Sequence, residues 1–179
     1  MKYLILAAVA AALVLGARGA AIREDLVAER QAIDADWTQV NAALEHRGGI
    51  IPDLTQTVQA QVPSDAAVNA AILAVNDARQ ALGQAPGQHE KIQANARLDD
   101  ALAHLMLAIE MYPKLDGGKK YSDLLESLRG AEYQIAVARR KYNEAVEHYN
   151  ARIAMFPDNI VSSVARLGKI DAYFETPLP

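Results

Sequence analysis

The chain has no cysteine. A disulfide, a thiolate nucleophile, a cysteine-ligated zinc site and a lipid-modified cysteine are all excluded. Compartment is not thereby fixed, because exported and cytosolic proteins alike can lack the residue. A basic surplus is also missing. Eighteen lysines and arginines face 22 aspartates and glutamates, for a net charge of −4, whereas a nucleic-acid reader carries a clustered excess of positive charge. No nucleic-acid partner is expected. No segment reads as a strand, so a strand–glycine-loop–helix phosphate cradle has nothing to stand on. No Gly-x-Ser-x-Gly elbow frames any serine. His46, His89, His104 and His148 share no i, i+3 or i, i+4 spacing, and the adjacent pairs Glu45-His46 and Glu147-His148 diverge on a helix. A metal site needs several ligands converging at bond distance. No metal, cofactor or catalytic residue is expected, and the protein does not read as an enzyme.

Helix formers are plentiful. Hydrophobic residues make up 51% of 179, much of it alanine, while aromatics are only 6%. That composition favours an all-α protein large enough for one core. The first segment is different in kind. After Lys2, residues 3–17 carry no charge and include Leu4, Ile5, Leu6, Val9, Leu13, Val14 and Leu15. As a helix the run covers about 22 Å, against roughly 30 Å for a hydrocarbon core. Two readings stay open. A helix continuing to Ile22, with Arg18 snorkelling, makes a minimal membrane anchor, the preferred reading. Ala17 and Gly19 also have the spacing of a signal cleaved after Gly19. The charges flanking the run nearly balance, and the signal-like layout favours placing the rest of the chain on the exported side.

Beyond Ala21 the apolar spacing is helical throughout. Ile22, Leu26, Ile33, Trp37, Val40 and Leu44 form a heptad stripe with Arg30 in one seam position. His46-Arg47-Gly48-Gly49 reads as its end, with a second, antiparallel helix starting at Pro52-Asp53. Pro63 interrupts that helix, Ser64 reads as an N-cap, and Val68, Ile72, Val75 and Leu82 continue the stripe, as one kinked helix or two collinear halves. Residues 83–87 are a loop. Leu98, Leu102, Leu105, Ile109 and Tyr112 mark a third helix, stopped by Pro113. A fourth helix, 121–156, carries Leu124, Leu128, Ala131, Ile135, Ala138, Tyr142, Val146, Tyr149 and Ile153, expected to form a heptad seam with no skip. Gly130 within it suggests close approach of a neighbouring helix. Ile160, Val161, Val164, Leu167 and Tyr173-Phe174 suggest a short helix or turn packing as a tail. These segments predict an N-terminal membrane segment (1–20), an antiparallel up-down-up-down four-helix bundle (21–157) and a C-terminal tail (158–179).

Several residues together resemble the LemA family of bacterial membrane-anchored proteins. They are Ala138-Arg139-Arg140-Lys141-Tyr142-Asn143, Val146, Tyr149-Asn150 and Phe156-Pro157, joined by Trp37, Leu44, Arg47, Ile51-Pro52, Leu54, Glu110, Tyr112-Pro113, Leu115 and Tyr173-Phe174-Glu175. The chain departs from the family's usual pattern at Ala43, Gly49, Asp53, Gly118 and Lys120. The resemblance implies a membrane segment, a four-helix domain of the bacterial envelope and no catalytic activity.

One polar feature remains. Glu132, Arg139, Asn143 and Asn150 fall on one flank of the fourth helix, beside its seam. They are candidates either for a partner-binding edge or for hydrogen bonds that fix helix register, with Arg139 reaching Glu110 or Asp53. The acidic doublets Glu24-Asp25 and Asp99-Asp100 read as solvated surface. The functional expectation is a membrane-tethered interaction or scaffold protein that binds the membrane through residues 1–20 and an unidentified protein partner. An accessory subunit of an envelope enzyme, an unrecognised enzyme or a small-ligand sensor is the alternative.

Overall fold

A computed structural model describes residues 1–112 and 118–174; of residues 4–15 it describes the helical backbone alone. The described residues form five α-helices and no strand: α1 Lys2–Gln61, α2 Ala66–Gln84, α3 Gln88–Ile109, α4 Lys119–Arg152 and α5 Asp158–Ala165. Among the described residues no helix is long and apolar enough to cross a membrane. The apolar side chains 4–15 expected to anchor the chain lie outside that description.

The expected break at Gly48-Gly49 does not occur: α1 runs through both glycines and Pro52. The seam explains why. Leu44, Arg47, Ile51, Leu54 and Val58 are buried at alternating spacings of three and four residues, so the core-facing stripe crosses the glycines without losing phase. Two helical glycines cost about 1 kcal/mol each and an interior proline about 3 kcal/mol. Fully burying Ile51, Leu54 and Val58 contributes about 1.5–3 kcal/mol apiece, enough to offset that cost. Chain reversal comes instead at Pro63. Asp65, not Ser64, caps α2, its Oδ1 accepting from the Val68 N–H at 2.8 Å.

The chain divides into two compact units. One comprises Thr38–Arg140 with the segment from Ala172. Within it α2 packs on α3, with Val68, Ile72, Val75 and Leu82 buried against Leu98, Leu102, Leu105 and Ile109 among others. Lys91 donates to Asn41, and Arg47 to Asn95 at 2.6 Å; positions rise together in α1 and α3, so these helices run the same way. Asp99 meets Arg139, while Ile109 and Glu110 border a cleft with Leu128 and Arg129, so α4 runs opposite to α3.

The other unit comprises Met1–Trp37 and Lys141–Asp171. Its α1 and α4 segments are antiparallel: Asp36 pairs with Lys141 at 2.7 Å and Glu29 with Arg152 at 2.5 Å. Trp37 stacks obliquely on Tyr142, ring centroids 5.4 Å apart, and the Tyr149 hydroxyl donates to the Gly168 carbonyl at 3.3 Å.

In α4 the expected seam residues Leu128, Ala131, Ile135, Tyr142, Val146, Tyr149 and Ile153 are buried, with Leu124 and Ala138 half-buried. Tyr142 and Val146 add a second four-residue step after Ala138–Tyr142, a stutter that locally unwinds a heptad seam. Two further details differ from expectation. Among the described residues nothing lies within 4 Å of where a Gly130 side chain would sit, so none of their helices approaches closely there. The helix ends at Arg152, and residues 153–157 turn into α5.

Candidate functional site

Arg47 heads the fully buried side chains by size, with no exposed surface. It occupies a seam position of α1, where an apolar residue would ordinarily sit. The two terminal nitrogens of its guanidinium make short contacts to two other helices. Nη1 donates to Asp99 Oδ1 at 2.5 Å and to Glu132 Oε1 at 2.8 Å, and Nη2 donates to Asn95 Oδ1 at 2.6 Å. Asn95, itself buried, turns its amide to Asp99 Oδ2 at 3.0 Å. Arg139 Nη1 stands 3.7 Å from that same oxygen, and its guanidinium lies 4.7 Å over the Phe174 ring. Two arginines thus face two carboxylates, with the tail residue Phe174 closing one side. Nε of Arg47 is buried without a partner.

The sequence-derived flank residues go to different places. Glu132 and Arg139 join the Arg47 cluster. Asn150 lies in the other unit, where its amide clamps the tail: Nδ2 donates to the Ile170 carbonyl at 2.8 Å, and Oδ1 accepts from the Ile170 N–H at 3.0 Å. Asn143 is half-buried, as are the other three. Arg139 meets Asp99 rather than Glu110 or Asp53. Glu110 is level with residues 128–129 of α4, and the Arg47–Glu132 contact places Asp53 still closer to the start of α4. Both are about three helical turns or more from Arg139, beyond any side chain's reach. Asp99, expected on a solvated face, is drawn into the cluster, while Asp100 is exposed.

Arg47, Asn95 and Asp99 were the members that sequence reasoning missed. The signal for Arg47 was present. It stands three residues after Leu44 and four before Ile51, so the stripe itself calls for burial, and a buried guanidinium requires carboxylates on neighbouring helices.

A second charged group lies in the other unit. Arg152 donates through Nη1 to Glu29 Oε1 at 2.5 Å and through Nε to Asp158 Oδ2 at 2.6 Å, with Asp25 at 3.5 Å from Nη2. The hydrogen bond to Asp158, then that to Glu29, holds its guanidinium above the ordinary arginine range. At the α1–α2 turn the Tyr112 hydroxyl donates to Asp65 Oδ2 at 2.5 Å. That bond, with the Val68 N–H, keeps the Asp65 carboxyl below its usual range, and the same contact raises the Tyr112 phenol.

In chemical terms the Arg47 cluster is a balanced set of opposed charges, with each carboxylate engaged by an arginine and no nucleophilic side chain among its members. Among the described residues no group of three or more His, Cys, Asp or Glu is placed to hold a metal ion. Glu132 also borders a cleft between the end of α3 and the start of α4, whose other lining residues include Met106, Ile109, Tyr121, Leu125 and Leu128.

Comparison with known proteins gives a family match and three curated relatives. The model of the LemA family matches residues 36–178. Magnetosome proteins MamQ 2 and MamQ 1 of Paramagnetospirillum magneticum are each 29% identical over 96 residues, which is 54% of this chain and 35% of theirs. Magnetosome protein MamQ of Magnetospirillum gryphiswaldense is 25% identical over 96 residues, with the same coverage of 54% and 35%. The chain thus spans about a third of the length of these relatives.

Proposed function

The chain belongs to the LemA family, and on that premise we propose that it is a non-catalytic, membrane-tethered interaction or scaffold protein of the bacterial envelope. Residues 1–20 hold the membrane, and α1 to α4 form an up-down-up-down bundle presented on the exported side. The supporting observation is the internal closure of the Arg47 cluster. Its charges are engaged by one another, which suits a polar network that sets helix register. Glu132 and Arg139 then serve register, and Asn150 serves the tail. A protein partner is read by the outward side of α4, where Tyr133 and Val137 are 73% and 52% exposed one helical turn apart. The magnetosome assignment of the relatives is not carried over, because the match covers so little of their length.

The test is co-purification in mild detergent. The parent and Arg139→Ala chains should retain one stoichiometric partner, and Tyr133→Glu should lose it while keeping its helical circular dichroism. Loss of the partner from Arg139→Ala at unchanged stability would instead assign binding to the flank of Glu132, Arg139, Asn143 and Asn150.

A second reading, a small-ligand sensor, has one observation in its favour. A cleft of about 280 Å³ opens beside Gly48 and Gly49, lined also by Asn41, Leu44, Arg79 and Lys91, and Arg79 Nε is buried without an acceptor. A thermal shift with small carboxylates that is abolished in Arg79→Gln would favour it.

A further inference from the structure

The turn between α4 and α5 leaves a group of large apolar side chains uncovered. Met155, Phe156, Ile160 and Val164 are 61%, 79%, 56% and 82% exposed. In α5 Ser162 is buried, its hydroxyl donating to the Asn159 carbonyl, and Asp158, Val161 and Ala165 are half-buried beside it, while Ile160 and Val164 are left on the outward side. The turn is held firmly in place, because Arg152 bonds both Asp158 at the start of α5 and Glu29 on α1. Arg166 adopts left-handed backbone (φ 56°) at the end of α5, and its N–H is shared between the Ser162 and Ser163 carbonyls.

Position within the unit says what covers the patch. Asp36 pairs with Lys141, and Glu29 and Asp25 with Arg152. As α4 advances, its partners on α1 recede toward the N-terminus. Residues 155–156 therefore come at the end of α4 that faces the stretch of α1 before Asp25. That stretch leads within about two helical turns back to Ala17, where the uncharged run 3–17 ends. Met155 and Phe156 at that level, with Ile160 and Val164 exposed on the helix that follows, suit the boundary between headgroups and acyl chains.

We infer that the α4–α5 elbow, through Met155, Phe156, Ile160 and Val164, is a second membrane contact that dips into the interface of the bilayer holding α1. The inference rests on the membrane-tether reading of residues 1–20. The elbow is an interfacial contact, not a span, and it fixes how the α1–α4 pair stands on the bilayer. Apolar burial drives it: Arg23 and Lys169 are offset by Glu24 and Asp171, so anionic lipid is not required.

The absence of cysteine makes the test direct. Full chains carrying Phe156→Cys, Leu6→Cys or Tyr133→Cys are labelled with an environment-sensitive fluorophore and reconstituted in phosphatidylcholine vesicles with or without spin-labelled lipid. The label at position 156 should be blue-shifted and lose intensity with shallow spin labels, while that at 133 keeps a water-like spectrum. Val164→Cys repeats the measurement at a second point of the patch. If position 6 is quenched and positions 156 and 164 are not, the elbow inference is overturned and the tether stands. If none of them is quenched, both fail. Quenching at 156 and 164 without quenching at 6 removes the tether and overturns the elbow as a second contact beside it. A blue shift at 156 that depends on protein concentration and not on spin-labelled lipid assigns the patch to a second copy of the chain, and overturns the inference.

Discussion

Arg47 poses an unequal energetic problem, because the charge that is fully buried belongs to one partner only. The Asp99 and Glu132 side chains keep 37% and 45% of their surface in water. Removing the arginine leaves carboxylates that solvent can reach. Removing the carboxylates leaves a guanidinium with nowhere to go. Replacing Arg47 by methionine puts an apolar side chain on an apolar seam but leaves the buried Asn95 Oδ1 without its donor, and is expected to cost about 1–3 kcal/mol. The double change Asp99→Ala, Glu132→Ala is expected to cost about 3–5 kcal/mol. Urea denaturation of the two variants decides; equal losses would mean that the network acts chiefly through direct pairing energy. Asn150 is simpler. Asn150→Ala breaks both bonds to Ile170 and leaves a half-buried backbone amide and carbonyl unpaired, for an expected loss of about 1–3 kcal/mol, with faster proteolysis after residue 166 as a second readout.

At the scale of elements, Gly48 and Gly49 separate two descriptions of α1. A turn there would be damaged by alanine, whereas a continuous helix gains. A side chain at either position meets nothing within 4 Å, so Gly48→Ala and Gly49→Ala are each expected to stabilise the protein by about 0.5–1 kcal/mol, seen as a higher denaturation midpoint at unchanged slope. The α1–α2 turn carries a pH signature. Asp65 has a lowered folded value, so its contribution is present above the unfolded value of 3.8 and is lost as pH falls through the folded one. Tyr112 has a raised folded value, so its contribution holds below 10.0 and is lost as pH rises through the folded value. Tyr112→Phe should narrow the difference from the parent at both extremes of a stability–pH profile and lower stability between them.

The helices α2, α3 and α4 were legible because their apolar periodicity and their punctuation agreed. Val68 to Leu82 lie between Pro63 and Gly83, and Tyr121 to Ile153 follow a glycine-rich stretch. In α1 the two signals conflicted: Gly48-Gly49-Pro52 marked an end where Leu44, Ile51, Leu54 and Val58 marked continuation. Punctuation costs a few kcal/mol, and a buried seam outweighs it. The Arg47 cluster was harder to read for a related reason. The flank of α4 can be drawn from one helix, and that gave Glu132 and Arg139. Their partners depend on the relative register of three helices, which moved once the chain reversal shifted from Gly49 to Pro63.

For the whole molecule the proposals turn on whether residues 1–20 and the α4–α5 elbow meet a membrane. Two contacts of different strength are at issue, and they separate by how they are released. An uncharged run of residues 3–17 carried into a bilayer as a helix resists washing. Four exposed side chains at a turn bind an interface reversibly, since even a myristoyl chain alone gives only marginal attachment, with an association constant of about 10⁴ M⁻¹. The full chain is therefore expected to stay in the membrane pellet through high-salt and alkaline washing and to show an intact mass that includes Met1. A chain starting at Ala21 is expected in the supernatant after the same washing, with strongly helical circular dichroism, because the buried seams from Leu26 to Val58 and from Tyr121 to Ile153 lie wholly beyond the deletion. A purified mature chain beginning at Ala20 would show that the first segment is a cleaved signal, and would remove the tether together with the elbow inference that rests on it. A chain from Ala21 that remains pelleted after alkaline washing would show that residues 1–20 are not what holds the protein there.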